Sequence, residues 1–289
     1  MPVFDFYGTP IAYDQAGTGD PILFLHNLGG DRTIWSAQYE ALRATNRVVA
    51  LDWLGYGDSA IPDSGYTIDT YLRLLGDFIE HHALRQITLV GHCFGSAMAL
   101  LYARQCPHNV RALVLSSPLT AATLRPTPTG WSARLGERLQ LDSAFAGMRL
   151  PSAIAAWIVR AQLGPRGRHM PAETFASLRD RWSAPGRLLP IAAIARDLPR
   201  LAELDAFRPP ASFPPITTLW GANNRILSPA AGQRLNTVLQ PVQALTLPGC
   251  GHLVMMEEPT SVTATIRAAL CASRAPSRSA NPAKQAVSH

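Results

Sequence analysis

Residues 87–105 read ITLV-GHCFG-SAMALLYARQ, and this stretch decides the fold. Its first four residues form a short apolar run of the kind found in strands that are buried on both faces. Its last ten residues contain neither Gly nor Pro and favour a helix. Between the two runs, Gly91 and Gly95 flank Cys93, and glycines allow a strand and a helix to approach each other closely around a sharp turn. The stretch therefore predicts a strand, a strained turn and a helix, with Cys93 at the position where such an elbow carries a nucleophile.

Further apolar runs of the same kind lie on both sides of this stretch. They occupy residues 21–25, 47–51, 111–115, 216–220 and 243–247. Helical patterns occur at residues 34–44, 67–83, 95–105, 228–239 and 259–272. Strands that alternate with helices predict an α/β fold with a mainly parallel central sheet flanked by helices. Two short extended pieces at residues 3–6 and 11–14 predict an antiparallel hairpin at the edge of that sheet.

The alternation of strands and helices is interrupted between residues 119 and 211. This segment is rich in Pro, Ala, Arg and Trp, shows several helical patterns and contains no convincing strand. We therefore predict that residues 1–118 and 212–271 form one core and that residues 119–211 form an inserted helical cap. Residues 272–289 lack periodicity and apolar content, and we predict that they are a disordered tail.

Composition and charge exclude several classes of protein. The 289 residues are 47% hydrophobic and 16% charged, which excludes a largely disordered chain. The net charge of +6 is spread without a basic stripe or a nucleic-acid-binding motif, so no nucleic-acid partner is expected. No apolar run approaches the roughly 18 residues of a membrane span, and the first residues lack a signal-peptide pattern, so we expect a cytoplasmic protein without a membrane partner. The four cysteines lack metal-ligand spacing, and we expect free thiols, no metal and no cofactor.

Four motifs together resemble one enzyme family. They are LFLHNLGG at residues 23–30, DWLGYGDS at residues 52–59, GHCFG at residues 91–95 and PGCGH at residues 248–252. In this combination the chain resembles a cap-bearing α/β-hydrolase of the HG-hydrolase type over about residues 20–118 and 212–271. The resemblance implies the α/β-hydrolase fold and a catalytic site made of a nucleophile, an acid and a histidine base.

Carried over to this sequence, the resemblance makes His252 the general base and Cys93 the nucleophile. Asn224 stands where the family has its acid, within GANNR at residues 221–225. The chain thus departs twice from the family, with Cys for Ser and Asn for Asp. A thiol loses its proton more readily than a hydroxyl does, so it depends less on a carboxylate behind the histidine. If Cys93 and His252 rest as thiolate and imidazolium, the amide oxygen of Asn224 only has to accept the ring N–H, as in papain-like proteases. On this hypothesis the pKa of Cys93 is lowered and Asn224→Asp changes activity only modestly.

The same resemblance assigns the groups around the nucleophile. The backbone N–H groups of Phe94 and Leu28 form the oxyanion hole. Asn27 replaces a glycine of the family; Asn tolerates a left-handed backbone, and its side-chain amide is an alternative oxyanion donor. His26 and His92 flank the active-site loops, where they orient the backbone or line the pocket.

A cysteine nucleophile forms a thioester that stays reactive towards amines, thiols, alcohols and carbanions, which favours acyl transfer. We therefore expect an acyl-transfer or cyclising enzyme that acts on a small thioester, ester or lactone, the thioester being free or carrier-bound. Simple hydrolysis of an ester or lactone is the first alternative. Non-hydrolytic lyase or cyclase chemistry and a catalytically silent binding protein are the others. The cap tryptophans, which are Trp131, Trp157 and Trp182, suggest an apolar or aromatic acyl group.

Overall fold

The computed structural model describes residues 1–124, 126–127 and 149–273 of the chain. Its central sheet has eight strands in the order β1-β2-β4-β3-β5-β6-β7-β8. The strands are β1 (Val3–Phe6), β2 (Thr9–Ala16), β3 (Pro21–Leu25), β4 (Arg47–Leu51), β5 (Ile87–His92), β6 (Val110–Ser116), β7 (Ile216–Gly221) and β8 (Gln243–Leu247). β1 pairs with β2 and β2 with β4 in antiparallel fashion, and all the other pairs are parallel. The predicted α/β-hydrolase fold, with its mainly parallel sheet and edge hairpin, is confirmed.

Helices cover both faces of this sheet. Those of the described residues are α1 (Ser36–Leu42), α2 (Ile68–His81), α3 (Phe94–Gln105), α4 (Ala121–Leu124), α5 (Ser152–Gln162), α6 (Ala172–Ser183), α7 (Leu188–Asp197), α8 (Ala202–Asp205), α9 (Pro229–Leu239), α10 (Val254–Glu257) and α11 (Pro259–Ala272). Successive residues of a strand point to opposite faces. Accordingly Leu23 and Leu25 join the apolar cluster with α2 and α3, whereas Ile22 and Phe24 join the cluster with α1 and α11.

Several elements differ in length from their prediction, and α1 and β2 differ most. α1 begins later than expected because the side chain of Asp31 accepts the N–H of Thr33 and starts a 3-10 turn over Arg32–Trp35. β2 is longer than expected because its second half pairs with β4, with Tyr13 opposite Leu51. Pairing across the sheet therefore extends a strand that the local sequence only partly indicates.

Helices α4 to α8 lie between β6 and β7, and we call residues 117–215 the inserted segment. No strand occurs among its described residues. Trp131 and the predicted tail beyond residue 273 lie outside the described residues. In the part of the chain that the structure describes, no helix is both long enough and apolar enough to cross a membrane.

The parallel strands set the position of the candidate site. The carboxyl ends of β3 to β8 meet at one edge of the sheet, where ligands of open α/β sheets bind. Residues 26–30, 52–59, 93, 222–225 and 248–252 follow these ends directly. The four motifs of the sequence are thus gathered at one edge.

Candidate active site

The turn at Cys93 is strained. Cys93 has φ 52° and ψ −110°, and it precedes α3 directly. A Cβ on Gly91 would lie 2.5 Å from the backbone N of Ser96, and one on Gly95 would lie 2.2 Å from the carbonyl oxygen of Leu25. Only residues without a side chain fit at these two positions, so β5, α3 and the end of β3 can approach closely around the cysteine.

The surroundings of the Cys93 thiol keep it protonated. Burial raises the pKa of Cys93 to about 12, and the hydrogen bond from the backbone amide of Phe94 offsets only part of that effect. The expected lowering of this pKa is therefore wrong, because the loss of water around the sulfur outweighs the helix N-terminus. Cys106 and Cys271 are the exposed thiols.

His252 lies in the loop that follows β8 and is almost fully buried. Burial lowers the pKa of His252 to about 3, so the ring is neutral at neutral pH. Its backbone N–H donates to the carbonyl oxygen of Gln162 in the inserted segment over 2.6 Å. Its Nε2 is buried and has no hydrogen-bond partner among the described residues. The thiolate–imidazolium pair expected for Cys93 and His252 is therefore not the resting state.

Asn224 contacts His252 through its amide nitrogen. Its Oδ1 accepts the backbone N–H groups of Ile226 and Leu227 at 3.0 and 3.1 Å. Its Nδ2 lies 3.1 Å from Nδ1 of His252 and donates to Oγ of Ser117 at 3.1 Å. The expectation that the amide oxygen accepts the ring N–H is wrong, because two backbone donors already occupy that oxygen. Since an amide nitrogen only donates, Nδ1 of His252 is the acceptor and the ring proton lies on Nε2.

The loop predicted to supply the oxyanion hole follows β3 as expected, but the conformation of Asn27 in it differs from the prediction. Phe94 is fully buried at the start of α3, and its amide reaches the thiol of Cys93. In the loop after β3 the residue with a left-handed backbone is Gly29, with φ 78°, and not Asn27. The side-chain nitrogen of Asn27 donates to the carbonyl oxygen of Leu28 at 3.0 Å, so in this conformation that hydrogen bond occupies it.

His26 and His92 are both fully buried. Nδ1 of His26 donates to the carbonyl oxygen of Asn27 at 2.7 Å, while its Nε2 accepts the backbone N–H of Trp53 at 2.9 Å. His26 thus orients the backbone of two loops and has no ring nitrogen left for a substrate. The ring of His92 lies against that of His252 with centroids 4.4 Å apart, which brings the residue before the candidate nucleophile into contact with the candidate base.

The inserted segment covers the loop after β3. A Cβ on Gly29 would lie 2.2 Å from Cζ2 of Trp182, so the indole rests directly on this loop. Two clefts meet at Trp182, one lined by Tyr56 and Arg187 and the other by Asn27 and Gln162. In each cleft the centre of a water molecule can occupy a volume of about 10 Å³, so each cleft has room for about one water. Trp157, by contrast, is 68% exposed and does not line this space.

Glu257 is a site residue that the sequence analysis missed. Its Oε1 accepts the N–H of Gly251 at 2.8 Å, and its Oε2 accepts the N–H groups of Gly164 at 2.8 Å and Gly167 at 3.1 Å. The carboxylate therefore ties the loop of His252 to the inserted segment. Its position five residues after His252 is a local signal, but two of its three partners lie about 90 residues away, where no pattern points to them.

Comparison with known proteins agrees with this architecture. A family model described as alpha/beta hydrolase fold matches residues 20–259. The 2-hydroxy-6-oxo-2,4-heptadienoate hydrolase of Pseudomonas putida is 25% identical in an alignment of 256 residues that covers 84% of this chain and 86% of that protein. A haloalkane dehalogenase of Agrobacterium fabrum is 33% identical, but over only 39% of this chain and 37% of that protein.

Solved structures show the same fold. A thermophilic esterase of Thermogutta terrifontis superposes with a TM-score of 0.77 at 24% identity, covering 94% of this chain and 97% of that one. An enol-lactonase of Burkholderia xenovorans superposes with a TM-score of 0.76 at 18% identity, covering 93% of this chain and 100% of that one. At these identities the likeness concerns the fold alone.

Proposed function

The chain belongs to the α/β-hydrolase fold family, and we propose that it is an acyl-transfer enzyme of that family. Cys93 takes up the acyl group of a thioester, ester or lactone as a thioester on its Sγ. It then passes the acyl group to an acceptor or closes it into a ring. The donor is a small molecule, either free or attached to a carrier.

The backbone of Cys93 is the observation that carries this proposal. A non-glycine residue at φ 52° costs about 1–3 kcal/mol, and such strain persists where a site needs it. A cysteine that served only as a small core residue would gain nothing from this conformation. The strain therefore supports a role as a nucleophile presented at the end of β5.

The chemistry of acyl uptake can be assigned to groups around Cys93. The thiol of Cys93 first loses its proton to solvent. The Sγ thiolate then bonds to the acyl carbon, the bond from that carbon to the leaving sulfur or oxygen breaks, and the leaving group takes up one proton from solvent. The N–H groups of Phe94 and Leu28 stabilise the oxyanion, and one such donor is worth about 2.7–4 kcal/mol. The Nε2–H of His252, which has no partner among the described residues, is free to donate a hydrogen bond to the leaving atom.

We also propose that the inserted segment acts as a cap. Ligand pockets usually measure roughly 300–1,000 Å³, whereas the clefts beside Trp182 have room for about one water each. Trp182 and its neighbours therefore have to move away from Gly29 before an acyl donor fits into either of these two clefts. The closed arrangement then excludes water from the thioester.

Intact-mass spectrometry tests the proposal. After incubation with the thiophenyl ester of hexanoic acid, we expect the mass of one hexanoyl group on Cys93. The Cys106→Ser variant, which loses an exposed thiol, should form the same adduct, and Cys93→Ala should form none. Absence of the adduct from the wild-type protein, or its presence on Cys106 alone, would contradict the proposal.

Simple hydrolysis of an ester or lactone is the second candidate. The relative from Pseudomonas putida supports it, because that protein is named a hydrolase and the match extends over 84% of this chain. In a hydrolase the adduct would decay in water as fast as in the presence of an acceptor. Alkylation of Cys93 separates both candidates from the remaining alternatives: it stops acyl chemistry, slows a lyase or cyclase that uses His252 alone, and leaves a silent binding protein unchanged.

A further inference from the structure

We infer that the acyl acceptor is a nucleophile that needs no base, namely a neutral amine or a thiolate, and that water and alcohols are poor acceptors. This inference rests on the proposed acyl-transfer function and names the class of its second substrate. It is based on the one orientation that the amide of Asn224 can take.

Backbone donors determine that orientation. The N–H groups of Ile226 and Leu227 both point at Oδ1 of Asn224. If the amide were rotated by half a turn, its NH₂ group would face these two donors and leave them without a partner. A buried donor without a partner costs about 1–3 kcal/mol, so the observed orientation is strongly preferred. The other face of the amide then presents Nδ2 to Ser117 and His252.

This contact decides which nitrogen of His252 carries the proton. A general base needs an unprotonated Nε2, and a neutral ring has that only when Nδ1 carries the proton. A proton on Nδ1 would face the N–H of Asn224, 3.1 Å away. A second proton on the ring is opposed by burial, since His252 is almost fully enclosed. His252 is therefore held as a hydrogen-bond donor at Nε2, the nitrogen left without a partner.

Acyl acceptors differ in what they require from this histidine. Water and alcohols must lose a proton as they attack, and general-base help of this kind is worth about 10²–10⁴-fold in rate. Where an amide replaces a triad carboxylate in a serine protease, the wrong tautomer costs about 10⁴-fold. A neutral amine or a thiolate is nucleophilic enough to attack before any proton is removed, so it does not need that help.

The transfer step balances without an additional reagent. The nitrogen or sulfur of the acceptor bonds to the acyl carbon, and the bond from that carbon to Sγ of Cys93 breaks. The electron pair of that bond stays on Sγ, which the backbone amide of Phe94 reaches. A neutral amine then loses one proton to solvent, and Sγ takes one proton up. A thiolate acceptor releases none, and Sγ takes its proton from water.

Discharge of the hexanoyl enzyme tests the inference. The adduct is isolated by gel filtration and mixed with hydroxylamine, N-acetylcysteamine, methanol or buffer alone, and its decay is followed by intact mass. In the wild-type protein we expect rapid decay with the amine and the thiol and slow decay with methanol and water. In Asn224→Asp, where a carboxylate can accept the proton of Nδ1, we expect decay in water to rise by about 10²-fold or more.

Asn223→Asp is the matched control, because it makes the same chemical change at the exposed neighbouring residue and should discharge like the wild type. If water discharges the wild-type adduct as fast as the Asn224→Asp adduct, the inference is wrong although the proposed function stands. If no adduct forms, the proposed function fails and the inference fails with it. Imidazole ¹⁵N NMR of the unmodified protein gives a readout that does not depend on acylation: a protonated Nδ1 on His252 would overturn the inference.

Discussion

Asn224 and an aspartate in its place would use the same backbone contacts and differ only at the atom that faces His252. One carboxylate oxygen would keep the N–H groups of Ile226 and Leu227, and the other would accept a proton from Nδ1 of the ring. The exchange of one atom therefore moves the ring proton from Nε2 to Nδ1. The thiolate–imidazolium hypothesis predicts that Asn224→Asp changes activity only modestly, whereas the observed hydrogen bonds predict a large increase.

A double-mutant cycle on Cys93 and Asn224 measures this difference. For hydrolysis of 4-nitrophenyl acetate we expect Asn224→Asp alone to raise the rate by about 10²-fold or more, because His252 becomes a base. Cys93→Ser alone should be nearly inactive, because a hydroxyl cannot attack without a base. The double variant should recover part of the loss, since it rebuilds a Ser-His-Asp triad, and the two effects should not be additive.

Asn223→Asp, made in the wild-type protein and in the Cys93→Ser variant, again controls for the added charge. If Asn224→Asp changes the rate only modestly, the thiolate–imidazolium hypothesis regains support. If it gives no rescue in the Cys93→Ser background, Asn224 is not the residue that orients His252.

Among the elements, the short helix α10 connects the loop of His252 to the inserted segment. Glu257 ends this helix, and its carboxylate accepts three backbone N–H groups. Two backbone hydrogen bonds run parallel to this contact, from His252 to Gln162 and from Arg166 to Gly249. The contact is close because Gly164 and Gly251 lack side chains: a Cβ on either would lie about 2.4–2.5 Å from backbone atoms of the other segment.

Glu257→Gln should loosen this connection. The amide NH₂ cannot accept a hydrogen bond, so at least one buried N–H loses its partner, at a cost of about 1–3 kcal/mol. We expect faster hydrogen exchange at residues 162–167 and 249–252 and a lower rate of acyl transfer. We also expect the imidazole ¹⁵N signal of His252 to shift, which a purely structural loss elsewhere would not produce.

The neighbouring Glu258→Gln is the matched control. Glu258 pairs with Arg166 near the surface and does not accept the N–H groups of Gly164 or Gly251. Its loss should leave the exchange of these amides and the His252 signal nearly unchanged. Equal effects of the two variants would show that the carboxylate of Glu257 has no special role in placing His252.

On the scale of the whole molecule, the fold buries three histidines in neutral form. Burial lowers the pKa of His26 and His252 to about 3 and that of His92 well below its ordinary value. An unfolded chain takes up these protons near pH 6.5, whereas the folded protein does not. The contribution of these three histidines to the free energy of unfolding is therefore fully present above pH 6.5 and is lost as the pH falls below 6.5.

We expect the free energy of unfolding to fall by about 1.4 kcal/mol per pH unit for each of these histidines between pH 6 and pH 5. Urea unfolding across this range measures the slope. In His92→Gln the pH dependence of the unfolding free energy should be smaller than in the wild-type protein by the uptake of about one proton. A slope in His92→Gln equal to that of the wild-type protein would show that His92 is protonated in the folded protein.

Much of this protein can be predicted from the sequence alone. The resemblance to the α/β-hydrolases implies that Cys93, Asn224 and His252 meet at one edge of the sheet. The eight strands and the edge hairpin follow from hydrophobic patterns and from glycine positions. These are local properties, because an apolar run predicts a buried strand wherever it occurs. The order of strands and helices then determines which loops meet.

Only the tertiary structure decided the chemical state of the site. The sequence places Asn224 beside His252, but the direction of its amide depends on the N–H groups of Ile226 and Leu227, which point at it only in the folded loop. The pKa of Cys93 depends on how completely the surrounding elements exclude water, and the partners of Glu257 come from segments far apart in the chain. Hydrogen-bond direction and desolvation depend on atoms that folding brings together from distant parts of the chain. The local sequence around a residue therefore cannot predict them.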